Sequence, residues 1–200
     1  MSTLSPVTLT VNGEQRTIQV EERRTLADAL RLDCHLTGTH LGCEHGVCGS
    51  CTVVVDGQPV RSCLMFASQA TGKDIRTVEG LARNGKLHPL QASFIEHHGL
   101  QCGFCTPGFL MLVIGVVESA PQMSDDEIVE TLSSNLCRCT GYQNIMKAVR
   151  AALPEMRAQS PIFPGRIASV VVAQPCRTCP IAHPSNPATR MHHQSSGLNT

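Results

Sequence analysis

Three closely spaced cysteines constrain this chain more than any other sequence feature. Cys43, Cys48 and Cys51 follow the spacing C-x4-C-x2-C, and a fourth cysteine, Cys63, follows after eleven further residues. The opening run is typical of loops that bind a plant-type [2Fe–2S] cluster. Several glycines interrupt the loop, and glycine adopts positive φ and leaves backbone N–H groups open to sulfur. The spacing therefore predicts a cysteine loop around an iron–sulfur cluster.

A structural zinc site, or a set of buried free cysteines, is the alternative interpretation of this loop. Structural zinc sites usually combine two short Cys or His pairs that a longer spacer separates. The x4–x2 triplet fits that arrangement poorly. The spacing therefore favours iron–sulfur over zinc for the first group.

A second cysteine group lies further along the chain. Cys102 and Cys105 form a C-x2-C pair, and Cys137 and Cys139 form a C-x-C pair after 31 intervening residues. Both pairs come shortly before predicted helix N-termini, whose positive dipole ends favour an anionic site. Four thiolates would also suit a tetrahedral zinc site, so the residues alone leave zinc open here.

The N-terminal residues predict a small α+β domain over residues 1–80. Alternating apolar residues flank Asn12-Gly13, which is a strong hairpin signal. Thr25 is placed to cap a short helix whose apolar positions end at Leu32. A strand over residues 51–55 and a second one running to Cys63 complete the predicted elements.

The next residues predict an all-α domain over residues 81–154. Four helices are expected, the first beginning at Pro89 and the second having Thr106 as its N-cap. A capping box at Ser124 opens the third, and Pro154 is expected to end the fourth. Short links between four such helices are typical of a small bundle.

Residues 155–200 have a different character. The last 47 residues of the chain hold seven of its twelve prolines. We expect an extended tail rather than a third folded domain. Cys176 and Cys179 lie in it, and unused cysteines in a tail are a simpler interpretation than a redox pair or a metal site completed by nearby histidines.

Charge and hydropathy exclude several classes of protein. Lys and Arg balance Asp and Glu at 16 each, so nothing in the charge predicts a nucleic-acid or anionic-membrane partner. The longest apolar run is about half the length of a membrane span, and no secretory signal is visible at the N-terminus. With eleven cysteines, a metal-binding protein of the cytoplasm fits best, although export to the periplasm with a partner is compatible.

Four sequence motifs together resemble the small iron–sulfur subunits of the molybdenum hydroxylases, the xanthine oxidase, aldehyde oxidoreductase and carbon monoxide dehydrogenase family. The resemblance covers about residues 5 to 153. The matching stretches are HLGCEHGVCGSCT at residues 40–52, RSCL at 61–64, QCGFCTPGF at 101–109 and NLCRCTGY at 135–142.

The resemblance implies a fold, cofactors and partners. It implies a β-grasp ferredoxin-like domain followed by a four-helix domain, each with one [2Fe–2S] cluster. The chain would relay electrons from the molybdopterin of a large catalytic subunit to FAD on a medium subunit or to a cytochrome, without a substrate site of its own. A free-standing ferredoxin-like carrier and a zinc-binding structural module are the alternatives.

The resemblance also implies roles for single residues. Gln101 and Cys139 are expected nearest the molybdopterin of the partner. The outer cluster would be held by Cys43, Cys48, Cys51 and Cys63, and the inner one by Cys102, Cys105, Cys137 and Cys139.

Three further residues near these groups have simpler interpretations. Cys34 belongs to neither cysteine group and is expected to be a buried free cysteine. His40 and His45 flank the first loop, where four thiolates are already present, so we expect them to form hydrogen bonds or pack against the loop rather than bind metal.

Overall fold

The computed structural model describes residues 4–158, which lie within one compact unit of the chain. Most of the predicted tail, with Cys176 and Cys179, lies outside the described residues. Among residues 4–158, no helix combines the length and apolar character needed to cross a bilayer.

The first part of the chain forms one five-stranded sheet. In space the strands follow the order β2-β1-β5-β3-β4. Their bounds are Leu4–Val11 (β1), Glu14–Glu21 (β2), Thr52–Val55 (β3), Gln58–Arg61 (β4) and Asp74–Arg76 (β5).

The predicted N-terminal hairpin is confirmed. β1 and β2 pair antiparallel over their whole length, and Asn12 and Gly13 form the turn with φ of 53° and 85°. Such a turn needs positive φ at both central residues, which Asn-Gly supplies. β5 was not predicted, because a strand of three residues carries too little pattern. It lies in the middle of the sheet, parallel to β1 and antiparallel to β3.

A short helix packs across this sheet. Thr25 caps α1 (Leu26–Asp28) by accepting from the backbone N–H of Asp28, and the chain continues as a π-helical turn over Ala29–Asp33. Leu26, Ala29 and Leu30 are buried as predicted, but Leu32 is 57% exposed. The wider π-helical turn changes the angular spacing of side chains, so the α-helical pattern misplaces Leu32.

The end of the second predicted strand also differs. β4 stops at Arg61, and Ser62–Leu64 form a 3-10 turn. Cys63 therefore lies in a tight turn beside the sheet rather than on a strand, and its side chain is buried.

Four longer helices follow the sheet, which confirms the predicted α+β class. They are α2 (Pro89–Glu96), α3 (Thr106–Ser119), α4 (Asp125–Thr131) and α5 (Gln143–Ala158). α3 is buried continuously from Gly108 to Val117, so it forms the centre of this half. The predicted capping box is present, because Ser124 and Glu127 each accept from the other's backbone N–H.

α3 also packs directly on the sheet. Gly108 and Gly115 lie seven residues apart and so share one helix face. A Cβ on Gly108 would overlap the carbonyl oxygen of Gly49, and one on Gly115 would come within 2.9 Å of Pro59. The two glycines therefore let α3 approach the first cysteine loop and β4 at backbone distance.

Two predicted helix ends are wrong. Thr106 is the first residue of α3, with Cys105 in the cap position. α5 continues through Pro154 to Ala158, so residues 155–158 are helical rather than part of an extended tail. Proline in a helix loses one backbone hydrogen bond, but Met156 is buried in the helical core and Arg157 bonds the carbonyl of Met123. These contacts stabilise the last turn.

Candidate metal centres

The first cysteine group comes from one loop and one turn. Cys43, Cys48 and Cys51 lie between the π-helical turn and β3, and Cys63 comes from the turn after β4. The backbone N–H of Cys48 lies 3.3 Å from Cys43 Sγ, and Cys51 lies close enough to Cys63 to raise the pKa of its thiol. The loop and the turn thus bring all four predicted residues into one neighbourhood, since Cys43 also interacts electrostatically with Cys63.

Backbone N–H groups make Cys43 acidic. The N–H groups of Cys48 and then His45 are the main causes that lower the pKa of Cys43 to about 6, so its thiolate form is favoured at neutral pH. Burial, with the neighbouring Cys51 thiol, raises the pKa of Cys63 to about 12. The loop therefore offers a preformed thiolate next to a buried thiol that only a cation would ionise.

The second cysteine group lies at the N-terminal ends of two helices. Cys102 and Cys105 precede α3, and Cys137 and Cys139 precede α5. The Sγ atoms of Cys102 and Cys139 are 3.5 Å apart, and Cys105 and Cys137 lie close enough to shift each other's thiol pKa. Cys102 and Cys139 are exposed, whereas Cys105 and Cys137 are half-buried.

Opposite pKa shifts occur within this second group. Burial, then the Cys137 thiol, raises the pKa of Cys105 to about 12. Burial also acts against ionisation of Cys137, but the hydroxyl and backbone N–H of Thr140 and the N–H of Cys139 outweigh it and lower its pKa. The Thr140 hydroxyl lies 3.1 Å from Cys137 Sγ. The environments of Cys105 and Cys137 thus shift their ionisation in opposite directions.

The thiol pairs fit a two-iron group. A tetrahedral metal with thiolates at about 2.3 Å sets two sulfur atoms about 3.8 Å apart, close to the separation between Cys102 and Cys139. Four cysteines shared between two irons supply two ligands per iron. Within residues 4–158, no three His, Cys, Asp or Glu side chains converge as a single-ion site. The donors and their N–H partners fit one [2Fe–2S] cluster per set.

The other predicted residues lie as follows. Gln101 is exposed beside Cys102. His40 Nδ1 is 2.7 Å from the carbonyl oxygen of Phe104 and its ring stacks on the Phe104 ring, while His45 Nδ1 is 2.5 Å from the carbonyl of Cys43. Both histidines thus support the loops, as predicted. Cys34 is buried in the sheet core, where burial raises its pKa.

Sequence reasoning assigned no role to three polar residues that join the two cysteine loops. Arg61, Asn135 and Tyr142 form hydrogen bonds between or within the loops. All three lie inside the quoted motifs, next to the cysteines. That position was the available signal, but Arg61 and Asn135 bond partners that are 73 and 86 positions away, which only the fold brings together.

Comparison with known proteins places both halves of the chain in iron–sulfur families. The model of the 2Fe-2S iron–sulfur cluster binding domain matches residues 9–82. The model of the [2Fe-2S] binding domain matches residues 77–150. The two matches together span both cysteine groups.

Relatives over most of the chain carry names of one kind of subunit. The nicotine 6-hydroxylase small subunit of Paenarthrobacter nicotinovorans is 55% identical over 154 residues, which cover 74% of this chain and 93% of that protein. The iron–sulfur-binding subunit of the Escherichia coli aldehyde oxidoreductase is 42% identical over 170 residues, 78% of this chain and 74% of that protein.

A solved structure shares the fold. One chain of the crystal structure of quinoline 2-oxidoreductase from Pseudomonas putida superimposes with a TM-score of 0.75 and 51% identity, over 80% of this chain and 99% of that chain. Sequence, cysteine pattern and fold agree along the same residues. The chain belongs to the family of small iron–sulfur subunits of the molybdenum hydroxylases, with two [2Fe–2S]-binding regions.

Proposed function

We propose that this chain is the electron-transfer subunit of a molybdenum-dependent hydroxylase or dehydrogenase. In this role it receives electrons from molybdopterin on a large catalytic subunit and passes them to FAD on a medium subunit or to a cytochrome. The arrangement of eight cysteines as two groups of four supports the proposal, because four thiolates are the number that one [2Fe–2S] cluster binds.

The proposed ligands divide between the two sets. The outer set is Cys43, Cys48, Cys51 and Cys63, and the inner set is Cys102, Cys105, Cys137 and Cys139. Bound clusters would each take up and release one electron, which is the chemistry of a relay. The chain itself holds the sulfur atoms in place and directs N–H groups at them, and such hydrogen bonds and burial set cluster potentials.

The exposed edge of the inner set supports a partner on that side. Gln101, Cys102 and Cys139 are exposed there, and the nearby Phe104 and Leu136 leave 46% and 52% of their surface open. We propose that this edge faces the molybdopterin of the large subunit. Substrate selection would then belong to that subunit, and this chain would have no substrate site of its own.

The proposed domain division follows the same logic. The two family matches meet near residue 80, which supports a ferredoxin-like domain over residues 1–80 and a helical domain over residues 81–154. We also propose a cytoplasmic location, with periplasmic export alongside a partner as the alternative.

Low-temperature EPR of the dithionite-reduced protein, purified with whatever subunits bind it, tests the proposal together with iron and zinc analysis. We expect two distinct S = 1/2 signals and about four irons per chain, as two [2Fe–2S] clusters require. Stoichiometric zinc without an EPR signal would instead establish a structural zinc module. Purification without a molybdenum-containing subunit would favour a free-standing carrier.

A pair of cysteine variants sharpens the ligand assignment. Cys48→Ala should remove one signal and about half of the iron, because it deletes a ligand of one of two clusters. Cys34→Ala is the matched control, since Cys34 is buried in the sheet core and belongs to neither set. Equal iron loss in both variants would mean that the loss reflects misfolding rather than ligation.

A further inference from the structure

The two cysteine loops are joined by a junction of buried and half-buried polar groups. The backbone N–H of Leu136 donates to the carbonyl of Cys48 at 2.9 Å, so one hydrogen bond connects a residue of the outer set to the residue before Cys137. The side chain of Asn135 adds a second link, donating from Nδ2 to the carbonyl of Gly49 at 3.3 Å. The outer and inner loops therefore touch through backbone and side-chain groups that lie within two residues of a cysteine of each set.

Asn135 is buried in this junction at a cost to stability. The residue is fully buried, and its Oδ1 has no hydrogen-bond partner among residues 4–158. A buried amide with one unsatisfied atom is less favourable than an apolar side chain of similar size. Its carboxamide also occupies the space that a Cβ on Gly49 would need. Stability alone therefore does not account for an asparagine at this position.

Tyr142 and Arg61 hold the junction from its two sides. The Tyr142 hydroxyl donates to the carbonyl of Asn135 at 2.9 Å and accepts from the N–H of Cys137 at 3.0 Å. Arg61, just before the turn that carries Cys63, bonds the hydroxyl of Thr52 and donates to the carbonyl of Ser134 at 2.7 Å. Arg61 thus links the two loops, and Tyr142 fixes the backbone of the second loop on both sides of Leu136 without a bond to a cysteine sulfur.

We propose that Asn135, braced by Tyr142 and Arg61, is a positioning residue that fixes the separation and orientation of the two clusters. The inference rests on the proposed function, because it requires both cysteine sets to be loaded. Magnetic coupling and electron tunnelling both fall steeply with distance, so a small displacement of one loop against the other changes them. The ligand sets themselves remain complete when this junction is altered.

The test is low-temperature EPR of the reduced protein, in the complex with which it is purified, for wild type and for Asn135→Leu. Leucine keeps the branching of asparagine at Cγ but removes the hydrogen bond to Gly49. We expect an unchanged iron content and both signals, with a shift or loss of the splitting and enhanced relaxation that two neighbouring reduced clusters impose on each other.

Ser93→Ala is the matched control. Ser93 is buried and donates to the carbonyl of Ala148 at 2.7 Å, away from both cysteine loops. Its removal deletes a comparable side-chain-to-backbone hydrogen bond and should leave the coupling unchanged. A change of coupling in both variants would show a general effect of lost stability and would overturn the assignment to Asn135.

If the Asn135→Leu protein does not bind its clusters, Tyr142→Phe is used to test whether the junction controls the coupling. It removes the two hydroxyl hydrogen bonds without changing the ring that packs edge-on against Phe109. Wild-type coupling in this variant, or in a loaded Asn135→Leu, would overturn the proposal. So would loss of a cluster in both variants, which would place these residues in cluster binding instead.

The failure of this inference is distinguishable from failure of the proposed function. Absence of two iron–sulfur signals in the wild type would contradict the electron-transfer function. Two wild-type signals without mutual coupling, or with coupling that the junction variants leave intact, would overturn only the role of Asn135.

Discussion

Gly49 shows how much one residue contributes to the cysteine loops. It lies between Cys48 and Cys51 with φ of +74°, a conformation that favours glycine. Asn135 packs against its Cα from one side and α3 approaches from another at Gly108. Because Gly49 has no side chain, the first loop, the second loop and α3 can meet at this residue.

We predict that Gly49→Ala destabilises the protein and lowers its iron content. A non-glycine residue with positive φ costs about 1–2 kcal/mol, and the added Cβ would also overlap the Asn135 carboxamide. Thermal unfolding and iron analysis of the purified complex check this prediction.

Gly13→Ala provides the control for this substitution. Gly13 has φ of +85°, but nothing lies within 4 Å of an added Cβ. We expect only the backbone cost and a normal iron content. If the two variants behaved alike, the steric part of the argument would be wrong.

His88 provides a prediction about pH. It is buried at the N-cap of α2, where Nδ1 accepts from the N–H of Leu90, and burial lowers its pKa below the ordinary value of 6.5. The unfolded chain therefore binds a proton more readily than the folded chain. The contribution of neutral His88 to the free energy of unfolding is fully present above about pH 6.5. It is lost as the pH falls from there towards the lower pKa of His88 in the folded chain.

Urea unfolding at about pH 7.5 and about pH 5.5, which lie above and below the pKa of an ordinary histidine, measures this loss of stability. His88→Asn keeps a good N-cap residue but cannot titrate, so its stability should fall less on acidification. The exposed His35 is the control site, and His35→Asn should behave as wild type. An equal pH effect in wild type and His88→Asn would contradict the prediction.

At the scale of elements, α3 joins the two halves of the described chain. Its glycine face packs on the first cysteine loop and on β4, and Glu118 near its C-terminus forms an ion pair with β5. Arg76 on β5 is 4% exposed and forms a two-pronged pair with Glu118, one N–O distance being 2.8 Å. A planar guanidinium suits a carboxylate in this geometry.

We predict that Glu118→Ala destabilises the protein by about 3 kcal/mol, because removing one partner of a buried ion pair leaves a buried charge. Glu14→Ala is the control. Glu14 pairs with Arg16 on the surface, and such exposed pairs contribute less than about 1 kcal/mol. Urea unfolding of both variants measures the difference, and equal effects would show that burial of the Arg76–Glu118 pair is unimportant.

At the scale of the whole molecule, the cysteine loops carry little apolar core of their own. The sheet core and the helical core are built from residues outside the loops, and Val47 and Leu64 beside the outer set are 57% and 64% exposed. The loops therefore depend on their bound groups and on partner surfaces more than the sheet and helices do.

We predict that removal of iron by a chelator lowers Tm by at least about 5 °C, because a cluster that binds only the folded chain contributes several kcal/mol and each kcal/mol shifts Tm by about 2–4 °C. Hydrogen exchange should locate the lost protection in the cysteine loops, while the β1–β2 hairpin stays protected. An unchanged Tm, or uniform loss of protection, would contradict this view.

The sequence predicted well those features that depend on local chemistry. The Asn12-Gly13 hairpin, the Thr25 cap and the Ser124–Glu127 capping box all appear as expected, because each depends on residues within a few positions of one another. The prediction placed Leu32 wrongly because the chain forms a π-helical turn there, whose side-chain spacing differs from that of an α-helix. It ended the last helix at Pro154 because the contacts of Met156 and Arg157 that stabilise the final turn are tertiary.

Spacing alone therefore determined that Cys43, Cys48 and Cys51 form one group and that Cys102 with Cys105, and Cys137 with Cys139, each form a pair, because residues of one short loop must lie close together in any fold. Only the tertiary structure decided how the thiols pair, that a central three-residue strand completes the sheet, and that Asn135 meets Gly49 across 86 positions of sequence. Those contacts depend on packing between distant elements, and no local pattern in a single chain specifies such packing.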